Sequence, residues 1–215
     1  MTTTATPPNP HRRPRPAHAS SRPRGAARRE ALLEAVLRIV AEVGPDAVTH
    51  RRVAEVAGLP LASTTYWFES KEQLLTAALE LAAERDTARL LSYAASVAGD
   101  GSREGADLIE AIVGAIVSDD DHAPTTRTSV IATLSLLLEA ARRPALQEIS
   151  RRWTEAYLLT VGRLLARAGS GDPRGDAELL IGAADGLILE QLSLGAREDL
   201  RPRLRRLARA LVARP

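Results

Sequence analysis

The chain has 215 residues, of which 45% are hydrophobic and 26% charged, with a formal net charge of +2 and no cysteine. A chain of this length can bury a core without covalent staples, and the missing thiols exclude a disulfide scaffold, a zinc finger and a cysteine nucleophile. The near-neutral total is unevenly spread, because residues 1–29 carry seven arginines and no acid, which leaves the remainder at net −5.

In chain order, the start is rich in arginine and serine, but six of the 13 prolines fall within its first 23 residues. Proline bars an amphipathic targeting helix, and no apolar segment follows Arg12-Arg13, so residues 1–24 are expected to be a disordered basic arm and not a leader. From Gly25 onward the apolar spacing is helical: Leu33, Val36, Leu37 and Val40 share a stripe, with Arg28, Arg29, Glu30, Glu34 and Arg38 off it. Gly44-Pro45-Asp46 ends that helix, and Gly58-Leu59-Pro60 interrupts the next. Later turns are expected at Gly99-Asp100-Gly101, residues 119–124, Arg143-Pro144 and residues 169–175. No stretch alternates as a half-buried strand does, so the fold class is all-α with about nine helices. Ser70 followed by Gln73 forms a capping box, the serine accepting from an orphan N–H and the glutamine reaching back to the cap's own N–H. A long helix over residues 70–97 follows from it.

Residues 146–168 predict an amphipathic helix with Leu146, Ile149, Trp153, Tyr157, Val161 and Leu164 on one side. By contrast, residues 179–189 carry a single charge, Asp185, and a helix apolar on nearly every face must be covered on both sides. Gly182 and Gly186 would admit another helix closely. The last helix places Leu200, Leu204, Leu207 and Leu211 on a narrow stripe among arginines. Periodicity does not separate a core from an interface. These two helices therefore either form half of a homodimer interface, which is the expectation, or complete the core of one subunit. The longest uncharged apolar run, residues 128–138, is about half of the roughly 20 that a bilayer requires, so no membrane partner is expected and the protein is placed in the cytoplasm.

Residues 49–71 read THRRVAEVAGLPLASTTYWFESK. Thr49 caps a two-turn helix, Gly58 breaks it, and a second short helix begins at Leu61, the spacing of a helix-turn-helix. Ala54 and Ala57 permit close packing, and Val53, Val56, Leu59 and Phe68 supply apolar contacts. Leu61, Ala62, Thr65 and Tyr66 share the opposite face. Tyr66, Trp67 and Phe68 are consecutive, and since helical neighbours point about 100° apart, at least one must face outward.

Residues 28–75, above all VAEVAGLP followed by STTYWFESKEQLL, resemble the DNA-binding domain of the TetR family of bacterial transcriptional regulators. The resemblance implies a helix-turn-helix domain over residues 25–71 and an effector-binding and dimerisation domain over residues 72–215. It further implies a ligand-responsive repressor that binds a palindromic double-stranded operator on the nucleoid as a homodimer through its last two helices. Carried over by position, Leu61, Ala62, Ser63, Thr65, Tyr66 and Trp67 lie on the recognition helix, Thr49, His50 and Arg51 stand beside the DNA, and Lys71 takes a phosphate-contacting place. Elementary chemistry agrees. A helix N-terminus favours phosphate, arginine can fork onto guanine, and serine, threonine and tyrosine can bond phosphates or base edges. Thr64 and Thr65 depart from the family, which has a larger apolar residue at the first and often a tyrosine at the second. The basic arm is either a solvated leader or a DNA-gripping segment using Arg15, Arg22 and Arg24.

No catalytic set is expected. The four histidines, His11, His18, His50 and His122, make no HExxH or i,i+4 pair, the carboxy-terminal half offers no histidine for a Ser-His-Asp triad, and no strand precedes Gly169-Ser170-Gly171. Asp119, Asp120, Asp121 and His122 lack calcium-loop spacing, so neither a metal nor a cofactor is expected. For a small-molecule effector, the polar or aromatic residues on apolar helices are Thr133, Glu139, Trp153, Tyr157, Asp185 and Gln191. The competing reading is a helical carrier of small molecules with a basic tail and no operator.

Overall fold

Apolar residues at helical spacing between Leu32 and Val40, all but Leu37 essentially without solvent contact where they face inward, draw the first helix through the centre of the amino-terminal half. The computed structural model describes residues 21–98, 106–117, 124–196 and 198–213. Among them are nine α-helices and no strand: α1 (Ser21–Glu42), α2 (His50–Ala57), α3 (Leu61–Trp67), α4 (Lys71–Ala98), α5 (Ala106–Ile116), α6 (Pro124–Ala140), α7 (Pro144–Arg167), α8 (Pro173–Leu194) and α9 (Arg201–Val212). The all-α expectation holds. Helix α1 begins four residues before the boundary expected at Gly25, with Pro23 in the first turn, where its missing N–H leaves no helical bond unmade. The rest of the expected arm lies outside the described residues, as do the expected turn at Gly99-Asp100-Gly101 and the cluster of Asp119, Asp120, Asp121 and His122.

The capping box at the start of α4 forms with one change. Ser70 Oγ accepts the Gln73 N–H at 3.2 Å, but the glutamine carbonyl accepts from Glu69 N–H at 2.8 Å, one residue ahead of the cap.

Two cores result. The first joins α1, Val53 of α2, Phe68 and the amino-terminal part of α4 to Ala132, Leu136 and Ala140 of α6 and Leu146 and Ile149 of α7. This packing crosses the domain boundary expected at residue 71, so the helix-turn-helix rests on helices of the second domain. The second core joins Leu90 and Val97 of α4 to α5, the carboxy-terminal part of α7, α8 and α9. Helix α7 runs through both, with Leu146, Ile149, Val161 and Leu164 buried and Trp153 and Tyr157 half-buried on the expected side.

The apolar faces of the last two helices are buried to different extents within the subunit. Leu200, Leu204 and Leu211 of the carboxy-terminal stripe are at most 5% exposed and Leu207 packs against the same core, so that stripe is covered within the subunit. Helix α8 buries only Ala177, Leu180 and Ala184 with Asp176, while Leu179, Leu189 and Leu194 remain 54%, 53% and 73% exposed. A Cβ built on Gly182 or Gly186 would meet nothing within 4 Å. Asp185 lies on this outer face, exposed, and the apolar surface around it raises its carboxyl above the ordinary range through desolvation. No described helix is long and apolar enough to cross a membrane.

Candidate nucleic-acid interface

Capping and one glycine set the geometry of the helix-turn-helix. Thr49 Oγ1 accepts the Arg52 N–H at 3.2 Å and so starts α2. Gly58 then adopts a left-handed φ of 64°, which lets Leu59 N–H return to the Ala54 carbonyl at 2.9 Å and closes the helix. Pro60 follows and α3 begins at once. Inside the angle between the helices, Val53, Ala54 and Phe68 are buried, and Thr64 is completely so.

Thr64 explains its own departure from the family pattern. Its hydroxyl donates to the Leu61 carbonyl at 2.8 Å and lies 3.5 Å from the His50 carbonyl, so a polar residue fills the apolar slot with its hydrogen bond satisfied locally. Phe68 carries the Arg29 guanidinium 5.6 Å above its ring and thereby ties α1 to the end of α3.

The opposite face of α3 is open. Leu61 is 49% exposed, Tyr66 77% and Trp67 37%, and Ala62 and Thr65 are exposed beside them, with Ser63 half-buried at the edge. Tyr66 and Trp67 meet edge to face at 5.0 Å. Thr49 and Arg51 are exposed at the start of α2, and so is Arg52, which had not been singled out although it follows Arg51 directly. His50 is half-buried, with Nδ1 enclosed and without a hydrogen-bond partner. Lys71 is engaged within the chain: its Nζ donates to the Asp46 carbonyl at 3.2 Å and to Asp46 Oδ1 at 3.3 Å, pinning the start of α4 to the turn after α1. Among the described residues no three histidine or acidic side chains gather as a metal ion would need.

A family model described as the tetracyclin repressor-like C-terminal domain matches residues 100–214. The HTH-type transcriptional regulator BetI of Rhizobium meliloti (strain 1021) is 35% identical over 171 residues, 76% of this chain and 77% of that protein. The chain belongs to the TetR family. Solved structures share the architecture. The TetR-family member SCO1917 of Streptomyces coelicolor A3 has a TM-score of 0.65 at 30% identity and covers 87% of this chain and 99% of its own. The multidrug binding protein EbrR complexed with imidazole has a TM-score of 0.62 at 29% identity, covering 87% and 96%. The protein is thus a TetR-family transcriptional regulator.

In this TetR-family chain only two of the six effector candidates come together. Asp86 Oδ2 of α4 accepts the Trp153 indole N–H at 3.1 Å and the Tyr157 hydroxyl at 2.5 Å, while Oδ1 accepts Arg89 Nε at 3.0 Å. Arg89 also donates to the Tyr157 oxygen at 2.8 Å and to the Ala115 carbonyl of α5 at 3.4 Å. Burial, reinforced by the Asp86 charge, holds the Tyr157 phenol far above its ordinary pKa. The guanidinium of Arg89 stays charged because the Tyr157 and Asp86 oxygens outweigh its burial. The cluster lies at the seam of the two cores, Trp153 packing on the first and Tyr157 on the second.

The other candidates have separate employment or stand elsewhere. Glu139 pairs with Arg143 at 2.8 Å across the turn from α6 to α7. Gln191 donates to the Glu198 carbonyl at 2.6 Å between α8 and α9. Asp185 is on the outer face of α8, and Thr133 is half-buried on α6. Asp86 and Arg89 were missed from the sequence, although a signal existed: Leu79, Ala83, Asp86 and Leu90 follow one helical stripe, and an acid on a buried stripe needs a partner.

Proposed function

We propose that the chain is a ligand-responsive repressor that binds a palindromic operator as a homodimer. The observation that carries this reading is the two-sided construction of α3: Thr64 is fully buried and locks the helix in place, while Leu61, Ala62, Thr65 and Tyr66 form an open face whose geometry suits a major groove. Thr49, His50 and Arg51 start α2, where backbone N–H groups and an arginine favour phosphate. Helix α4 follows α3 after three intervening residues and carries Asp86 and Arg89 about four turns further on. A small molecule that displaces Asp86 from Trp153 and Tyr157 would move the rod on which the reading head is mounted. Such a ligand alters DNA affinity only by binding the two conformations unequally. The EbrR structures with ethidium and proflavin support small-molecule control in a similar fold. The uncovered apolar face of α8 supports dimerisation there, with α9 bracing it from behind. A regulator of this kind works on the nucleoid in the cytoplasm.

Binding of the purified protein to the DNA upstream of its own coding sequence, against unrelated DNA of equal length at two salt concentrations, tests the reading. A preference that persists at the higher salt is expected. Equal, salt-labile binding to both would favour a carrier with a basic tail.

A further inference from the structure

We infer that Trp153, Tyr157 and Arg89 form a binding site for an organic monocarboxylate with an apolar body, in which Asp86 is an internal stand-in for the ligand's carboxylate; this rests on the ligand-responsive reading above and names the chemistry of its effector. The direction of the hydrogen bonds carries the argument. Two donors on α7, the Trp153 indole N–H at 3.1 Å and the Tyr157 hydroxyl at 2.5 Å, converge on one oxygen, Asp86 Oδ2, while Arg89 Nε donates to the other at 3.0 Å. Helix α7 is anchored in both cores, by Leu146 and Ile149 in the first and by Val161, Leu164 and Leu165 in the second. Asp86 belongs to α4. If Asp86 leaves, the two donors of α7 stay where they are and need another acceptor, because a desolvated donor without one is costly.

The wall that α7 presents selects an anion. Burial, with the Asp86 charge, keeps the Tyr157 phenol protonated, so it meets an occupant as a donor. An indole N–H can only donate. A carboxylate in the place of Asp86 would accept from both and from the Arg89 guanidinium, whose charge it would balance. A cation would find two hydrogens there and no negative group once Asp86 had turned away. The rings of Trp153 and Tyr157 lie 6.5 Å apart, inclined at 66°, and give an apolar body a surface to lie on. The place is reachable: the side chains of Asp86 and Arg89 are 27% and 33% exposed, so the stand-in can turn to water as a ligand enters.

The test is rescue of Asp86→Ala by sodium acetate and sodium benzoate against sodium chloride at equal ionic strength, with benzamide and benzylammonium chloride as neutral and cationic counterparts. Either carboxylate at about five times its Kd should raise the melting midpoint by about 2–4 °C. The shift should be smaller in the wild type, whose site Asp86 fills, and absent with the amide and the ammonium. A second measurement leaves Asp86 in place: in the wild type the Trp153 indole N–H resonance, assigned with Trp67→Phe, should shift with benzoate while that of Trp67 stays. Affinity for a duplex enriched from random sequence by the full chain should then fall at least about fivefold. Carboxylates that stabilise Asp86→Ala no more than chloride would overturn the inference, and should that variant not fold, a wild-type Trp153 resonance that ignores benzoate would do so. Release of the duplex by proflavin and not by benzoate would overturn it too, while leaving a ligand-responsive regulator. If the full chain enriches no sequence, the operator reading fails, and the melting and resonance measurements still decide the carboxylate site.

Discussion

The Tyr157 hydroxyl and Asp86 Oδ2 meet at 2.5 Å, a hydrogen bond that joins α7 to the helix leading directly from the reading head. The carboxylate also accepts from Trp153 and Arg89, so its removal would strand three donors that are partly buried. Asp86→Ala should cost about 2–3 kcal/mol, and Tyr157→Phe, which deletes one partner, about 1 kcal/mol. Urea unfolding of both variants checks the order; a loss in Asp86→Ala no larger than in Tyr157→Phe would show that solvent replaces the carboxylate.

The same phenol predicts an alkaline limit. An unfolded tyrosine ionises near about pH 10, whereas in the fold burial and the Asp86 charge keep Tyr157 protonated well beyond that. The native state then binds the extra proton, so stability falls as pH rises above about 10. Thermal unfolding from pH 8 to 11 should show a steeper decline in the wild type than in Tyr157→Phe.

Tyr66 and Lys71 should separate in binding experiments. Tyr66→Ala removes an exposed ring from the open face of α3, so operator affinity should fall at least about tenfold with the melting temperature unchanged. Lys71→Met breaks an exposed pair with Asp46, which contributes about 1 kcal/mol or less. On DNA it should reduce the salt slope by about one per phosphate contact. A salt slope that does not move would confine Lys71 to its structural bond.

Gly58 provides a backbone test. Its φ of 64° lies in the left-handed region that favours glycine over residues with a Cβ, and a Cβ there would meet no neighbour within 4 Å, so the cost of Gly58→Ala is conformational. About 1 kcal/mol of destabilisation is expected, and an unchanged melting temperature would argue against the turn geometry.

The outer face of α8 should govern assembly. Gly186→Leu places a large side chain where the subunit itself has open space, so the subunit should fold and gain helix propensity. Light scattering should show a dimer in the wild type and a monomer in the variant; a variant that remains dimeric would move the interface away from this face.

The all-α character, most of the breaks between helices and the helix-turn-helix were legible in the chain because they depend on local chemistry: apolar spacing, Thr49 and Ser70 as caps, Gly58 as a break. The family model, however, matches residues 100–214, the part in which only a layout could be recognised from a single sequence. What periodicity cannot state is which neighbour an apolar face will meet. The stripes of α8 and α9 look alike as sequence, and both helices pack on the second core, yet α9 turned its leucines into the subunit while α8 covered only one side and kept Leu179, Leu189 and Leu194 outside. Likewise Trp153 and Tyr157 declared themselves as a pair four residues apart, whereas Asp86 and Arg89 lie more than 60 residues away from them in the chain. Local propensity fixes a helix and the direction of its faces. The partner across a long loop is settled only when competing faces share one volume, and burial there rewards the arrangement that leaves the fewest polar groups unpaired.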